Sequence, residues 1–106
     1  MKVKDGVLLS GLNIKMRPVL IAADKVWSEY GHELVITSTN DGVHSPGSLH
    51  YYGYAVDLRT HYFDAETVRK VHRDLSLHLH QKGFVVILHS THIHVEYRRI
   101  FDEIGT

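Results

Sequence analysis

No cysteine occurs anywhere in the 106 residues, which excludes disulfides, thiolate metal sites and a cysteine nucleophile. Excess charge of either sign is missing too. Twelve Lys and Arg balance twelve Asp and Glu, for a formal net charge of zero. The general attraction that nucleic acid or an acidic membrane surface exerts on a basic protein is therefore not expected. Long apolar runs are also lacking. The stretch Met1–Ser10 has two lysines and a short apolar run broken by Asp5 and Gly6, so it reads as neither a signal peptide nor a membrane span. The expectation is a chain made in the cytoplasm, not inserted in a membrane, that needs another export route if it acts outside the cell. Internal repeats and low-complexity linkers are absent as well. At this length the whole of residues 1–106 is expected to form one domain around one core.

What the chain has in quantity is histidine, ten in all. His72, His78 and His80 fall in a predicted helix without a shared face and read as surface residues. Arg17-Pro18 through Tyr30-Gly31 reads as a first helix, with proline in its opening turn and glycine just past its end. Leu20, Ala23, Trp27 and Tyr30 recur at helical spacing and are expected to form its buried stripe. Glu33–Ser38 reads as a strand closed by the turn-forming Asn40-Asp41-Gly42. The Gly-, Ser- and Pro-rich stretch up to His50 reads as a loop, a common place for binding groups. Tyr52–Arg59 reads as a second strand. Asp64 suits the N-cap of a second helix with Val68, Val71, Leu75 and Leu79 inward and Gly83 at its end. Phe84–Leu88 and His92–Tyr97 complete a C-terminal hairpin. The order predicts an α+β domain: a small, largely antiparallel sheet with helices packed on one face.

The segment Ser48–Asp57, answered by His92-Ile93-His94, carries the chemistry. It offers imidazoles and a carboxylate, the donor set that a catalytic zinc ion takes, with three protein ligands and a fourth position left for water. Side-chain alternation sharpens the reading. Gly53, Ala55 and Asp57 share one face of their strand, the smallest residues lining the side that carries the carboxylate, while Tyr54, Val56 and Leu58 share the other. On the last strand His92, His94 and Glu96 share one face and Ile93, Val95 and Tyr97 the opposite one. If Ser90-Thr91 is a two-residue turn, His89 stands opposite His92 on the polar face. Each piece alone has an ordinary explanation: a His-x-His pair on a strand is more often hydrogen-bonded than metal-bound, and a lone Asp at a strand end more often a turn residue. Their agreement on ligand types and faces is what points to a site.

The pattern Ser48-x-His50-x-x-Gly53-x-Ala55-x-Asp57 with His92-x-His94 downstream resembles the D-alanyl-D-alanine metallopeptidases, which share a fold with lysostaphin-type endopeptidases and the zinc-binding hedgehog signalling domain. The likeness runs upstream through Ile36-Thr37-Ser38 and Asp41-Gly42-x-His44-Ser45-x-Gly47-Ser48, covering about residues 33–97. It implies Zn²⁺ held by His50, Asp57 and His94, with His92, the first histidine of the pair, acting on the attacking water or the transition state. His89, five residues before the last ligand, occupies the place of a catalytic histidine in some carboxypeptidase relatives. Two departures stand out. Many relatives carry a glutamate base where this chain has Thr91 or His92, and carboxylate-trimming relatives often carry an arginine where this chain has Thr39 and Asn40.

The resemblance implies a zinc peptidase that hydrolyses a peptidoglycan stem peptide, either as a D-Ala-D-Ala carboxypeptidase or as an L-Ala-D-Glu-type endopeptidase. His92 is the first choice for the base and His89 the second, since an imidazole titrates near working pH without a large shift. Glu96 is read as orienting a ligand imidazole, Ser48 as hydrogen-bonding within the site and His44 as a substrate-contacting loop residue. Action at the cell wall, as a phage lysis protein or a small wall enzyme, suits such a chain. The alternative is a zinc-stabilised, non-catalytic binding module of the hedgehog type.

Overall fold

The computed structural model describes residues 1–39 and 53–99. Its elements run in the order β1 (Lys2–Val3), α1 (Arg17–Glu29), β2 (Val35–Ser38), β3 (Ala55–Arg59), α2 (Ala65–His78), β4 (Phe84–Leu88) and β5 (His92–Tyr97), with short 3-10 turns at Leu9–Gly11 and Ile14–Met16. They build an α+β domain whose five strands form one sheet in the order β1-β2-β3-β5-β4. β1 pairs parallel to β2, and the other three pairings are antiparallel. The sheet is therefore mixed, because β1, a two-residue strand too short for a periodic signal, adds a parallel edge to the expected antiparallel core.

Both helices begin and end where local chemistry dictates. α1 carries proline in its first turn and closes with a Schellman motif: Gly31, at φ +79°, donates to Ser28 O at 3.0 Å, and His32 N–H donates to Trp27 O at 3.0 Å. Its buried stripe is Val19, Ala22, Ala23, Val26 and Trp27. Ala23 and Trp27 are buried as expected, while Leu20 and Tyr30, also expected inward, are only half-buried, so the stripe is shifted towards Val19, Ala22 and Val26. In α2 the Asp64 carboxylate caps the helix by accepting from Thr67 N–H at 2.7 Å. Val71, Leu75 and Leu79 are buried as expected, whereas Val68 is half-buried.

Three further expectations need correction. The helix ends at His78, with Leu79 as its C-cap; Gly83, at φ +91°, instead makes the approach to β4, where its carbonyl accepts from Arg98 and Arg99 N–H. His72 is not a surface residue: it is half-buried and its Nε2–H donates to Val86 O at 3.0 Å, tying α2 to β4. Strands β2 and β3 start later than expected, at Val35 and Ala55. Gly53, at φ +79°, lies before β3 in a turn whose carbonyl accepts from Asn13 N–H at 2.9 Å.

The core lies between the helices and one face of the sheet. Met16, Val19, Val26, Trp27, Leu34, Ile36, Val56, Leu58, Val71, Leu75, Ile93 and Val95 are fully buried there. The β3–β5 register sets Val56 against Val95 and Leu58 against Ile93 on this face, and consequently Ala55 against Glu96, Asp57 against His94 and Arg59 against His92 on the other. Burying the apolar rows on the helix side is what turns the polar rows outward together. Among the described residues, no helix is long and apolar enough to cross a membrane.

Candidate metal centre

Neighbouring β3 and β5 bring two of the expected ligands into direct contact. Asp57 and His94 are cross-strand partners, and His94 Nδ1–H donates to Asp57 Oδ1 at 2.8 Å. The other ring nitrogen, Nε2, donates to Glu96 Oε1 at 2.8 Å. An ionised carboxylate only accepts, so a carboxylate at each ring nitrogen favours the protonated form of the imidazole. The bond to Asp57 raises the His94 pKa above the ordinary histidine range; partial burial works against it, and Glu96 reinforces the rise. Glu96 is occupied at its second oxygen as well, by an ion pair from Arg98 Nε to Oε2.

His92 stands beside this pair, its Nε2 3.8 Å from Asp57 Oδ1, and its Nδ1 shares a hydrogen bond of 3.0 Å with the Thr91 hydroxyl. The site is graded in exposure. Asp57, His94 and Glu96 side chains are 17%, 16% and 13% exposed, while His92 is 30% exposed. Asp57, His94 and Glu96 thus lie deeper than His92. The two-residue Ser90-Thr91 turn is present: His89 N–H donates to His92 O at 2.9 Å and closes it. The His89 ring consequently lies 4.8 Å from that of His92 and 6.2 Å from that of His94.

The donor chemistry fits zinc. Metal–donor bonds of about 2.0–2.1 Å at a tetrahedral angle separate neighbouring ligand atoms by about 3.3 Å. The Asp57 Oδ1–His94 Nδ1 pair at 2.8 Å would need to open only slightly once the shared proton is replaced by an ion. Glu96 on the far nitrogen supplies the carboxylate that such a histidine ordinarily carries behind it. Among the described residues, no group of three His, Asp or Glu side chains is assembled to hold an ion. His50, the third ligand implied by the resemblance, lies outside the described residues, as do Ser48 and His44.

Four residues at the site were not singled out from the sequence. Arg59 and Ser38 pair with His92 and Asp57 in the ladder, and the alternation that selected Asp57 would also have selected Arg59. Arg98 continues the two-residue period of His92, His94 and Glu96. Ser38 was hidden by an irregularity: the β2–β3 register shifts between Ile36 and Ser38, which lets Ile36 join the core while Ser38 pairs with Asp57. Thr91 is invisible to alternation because it belongs to the turn. Compared with protein-family models and with curated proteins, the chain matches none.

Proposed function

We propose that the chain is a zinc-dependent peptidase that hydrolyses an amide bond in peptidoglycan stem peptides, on a fold of the D-Ala-D-Ala metallopeptidase and hedgehog type. The observation that carries this is the 2.8 Å contact between Asp57 and His94, backed by Glu96 and flanked by His92. Asp57 and His94 would hold Zn²⁺ together with His50. When bound, zinc would lower the pKa of a water towards neutrality and polarise the scissile carbonyl.

The chain's own groups supply the proton traffic. With His92 Nδ1–H donating to the Thr91 hydroxyl, the lone pair of Nε2 faces the site and takes the proton of the attacking water. The hydroxyl keeps the ring in place as the proton is taken up. Nε2 then returns the proton to the leaving amine. His89, ring to ring with His92, is the second candidate. Glu96 is unsuited to the role, because its two oxygens are committed to His94 and Arg98. Its part is to fix the ring of His94 with Nδ1 towards the ion.

That same commitment of Glu96 favours a second reading, a zinc-stabilised binding module with no free carboxylate base. The two are separated by digesting purified peptidoglycan with the zinc-loaded protein, with and without chelator, and identifying the fragments. Chelator-sensitive release of peptide fragments supports the peptidase. Stoichiometric zinc without any release supports the binding module, and a protein that takes up no zinc overturns both.

A further inference from the structure

On the helix side of the molecule a hollow of about 590 Å³ opens between α1 and the end of α2. Apolar Ile14, Ile21 and Ala22 line it together with Arg17, Lys25 and Lys82, among others, and none of its lining residues is acidic. Ile14 and Ile21 are 69% and 65% exposed, two large aliphatic side chains left open to water. The three cations form no ion pair among the described residues. Asp24, next to Lys25 in sequence, is paired instead with the Met1 amino group at 3.4 Å, and Asp74 on α2 holds the Tyr30 hydroxyl. In a chain of zero formal net charge, the hollow is thus a local concentration of positive charge around exposed apolar surface.

The course of the chain past β5 leads to the same place. Arg98 and Arg99 N–H both donate to Gly83 O, at 2.8 and 3.1 Å, and Arg99 Nη2–H donates to Gln81 O at 2.9 Å. Arg99 is therefore tied to both sequence neighbours of Lys82, which lines the hollow. The sequence continues as Ile100-Phe101-Asp102-Glu103-Ile104-Gly105-Thr106, with three large apolar residues, two carboxylates and no cation. These residues lie outside the described ones. Their chemistry is the complement of the lining, apolar for apolar and anionic for cationic. Reach is no obstacle: seven extended residues span up to roughly 23–25 Å, whereas Arg17 to Lys25 covers only about 12 Å of helix.

We propose that the hollow between α1 and α2 is the docking site of residues 100–106 of the same chain, with Phe101 and Ile104 covering Ile14 and Ile21 while Asp102 and Glu103 answer Arg17, Lys25 and Lys82. Tethering selects this occupant over a free partner. A segment joined beside its groove by a short link is present at an effective concentration on the order of millimolar, which a separate protein seldom reaches. Docking fastens the end of β5, the strand that carries His92 and His94, to both helices from behind the sheet. The inference is independent of the metal centre and holds whether or not the chain cleaves peptides.

The test is NMR on the full chain. Nuclear Overhauser contacts are expected from Phe101 and Ile104 to the methyl groups of Ile14 and Ile21, unchanged on dilution, with amide exchange at residues 102–104 slowed relative to a free peptide. Ile21→Ser and Phe101→Ala should each speed that exchange at least fivefold; Ile21 is exposed, so its replacement does not threaten the fold. The pair Lys25→Glu and Lys82→Glu should speed it likewise, as should the pair Asp102→Lys and Glu103→Lys. Combining all four reversals should bring it back to within about threefold of the parent, a recovery that mere disturbance of the helices does not give. Exchange at free-peptide rates in the parent overturns the proposal, as does exchange that ignores Ile21→Ser or a fourfold variant that fails to recover. Contacts found only between differently labelled copies overturn it too, since the hollow is then an interface between two chains.

Discussion

His94 is the residue on which the others converge, bonded on one side to Asp57 and on the other to Glu96. Removing it as His94→Ala is expected to abolish tight zinc binding, measured by calorimetry and by metal content. Glu96→Gln should keep the ion but weaken its affinity by about 10–100-fold, because an amide orients the imidazole without lending it basicity. His92→Ala should leave zinc stoichiometry unchanged and lower hydrolysis by about 10²–10⁴-fold, the usual worth of a positioned base. Full activity in His92→Ala would transfer the role to His89 or to another group. At this scale much of the arrangement was legible in the sequence. Alternation alone placed Asp57 on the small-residue face of its strand and His92, His94 and Glu96 on one face of theirs, and the short turn placed His89 opposite His92. What alternation does not convey is pairing across the sheet: that Asp57 meets His94 rather than His92 depends on the β3–β5 register, which the intervening helix and the loop leave open. The same period carries on to Arg98, just past the strand end, but its ion pair with Glu96 has no local signal.

At the scale of elements, two contacts fix where the site-bearing strands begin and how the helices sit behind them. Gly53 stands at φ +79°, and a Cβ on it would run into the backbone oxygen of Gly11. Gly53→Ala therefore meets both backbone strain and a backbone clash. It should cost at least about 2 kcal/mol in a denaturant melt, more than a glycine in an ordinary turn. The sequence motif marked this glycine as a small residue on the Asp57 face. Its actual requirement, a close approach by a segment some forty residues earlier, has no local signal. The second contact joins the helices: Tyr30 O–H donates to Asp74 Oδ2 at 2.5 Å, holding the end of α1 to α2. This bond lowers the Asp74 carboxyl and raises the Tyr30 phenol relative to their ordinary values. The depressed Asp74 contributes stability above the ordinary carboxylate pKa, lost as pH falls through its lower folded value. The raised Tyr30 contributes below the ordinary tyrosine pKa, lost as pH rises through its higher folded value. Tyr30→Phe should bring the Asp74 carboxyl back up towards its usual range in an NMR titration and flatten the acid limb of the stability profile. An unmoved Asp74 would mean that the tie is absent in solution. The helical period placed Tyr30 on the inward stripe; it is only half-buried, with its hydroxyl on Asp74, while Val19, Ala22 and Val26 join Ala23 and Trp27 in the buried set.

For the molecule as a whole, ion binding and folding should be coupled. A ligand that binds only the folded state stabilises it by about 2.7 kcal/mol at one hundred times its Kd. For a domain of this size that corresponds to a rise in Tm on the order of 10 °C, to be seen by calorimetry on adding zinc and reversed by chelator. No shift with zinc would sink the metal centre independently of any activity assay. The α+β class and the one-sided placement of the helices were legible because both helices and the later strands carry clear periods. The mixed character of the sheet was not, since β1 is held by only two residues, through bonds such as Lys2 N–H to Leu34 O at 2.7 Å. Short edge strands of this kind are specified by their neighbours rather than by their own pattern.

β5 lies inside the sheet, paired on both sides, with His92, His94 and Glu96 alternating against Ile93, Val95 and Tyr97. A strand in that position cannot be shifted by a single residue: such a slip would carry three ionisable groups into the core and expose three apolar ones. Deletion or insertion of one residue within β5 is thus equivalent to losing fold and site at once, while a two-residue change preserves the faces and only resets which histidine meets Asp57. Variation in this centre is quantised in steps of two, so its descendants can change donors by substitution but can relocate them only a full pleat at a time.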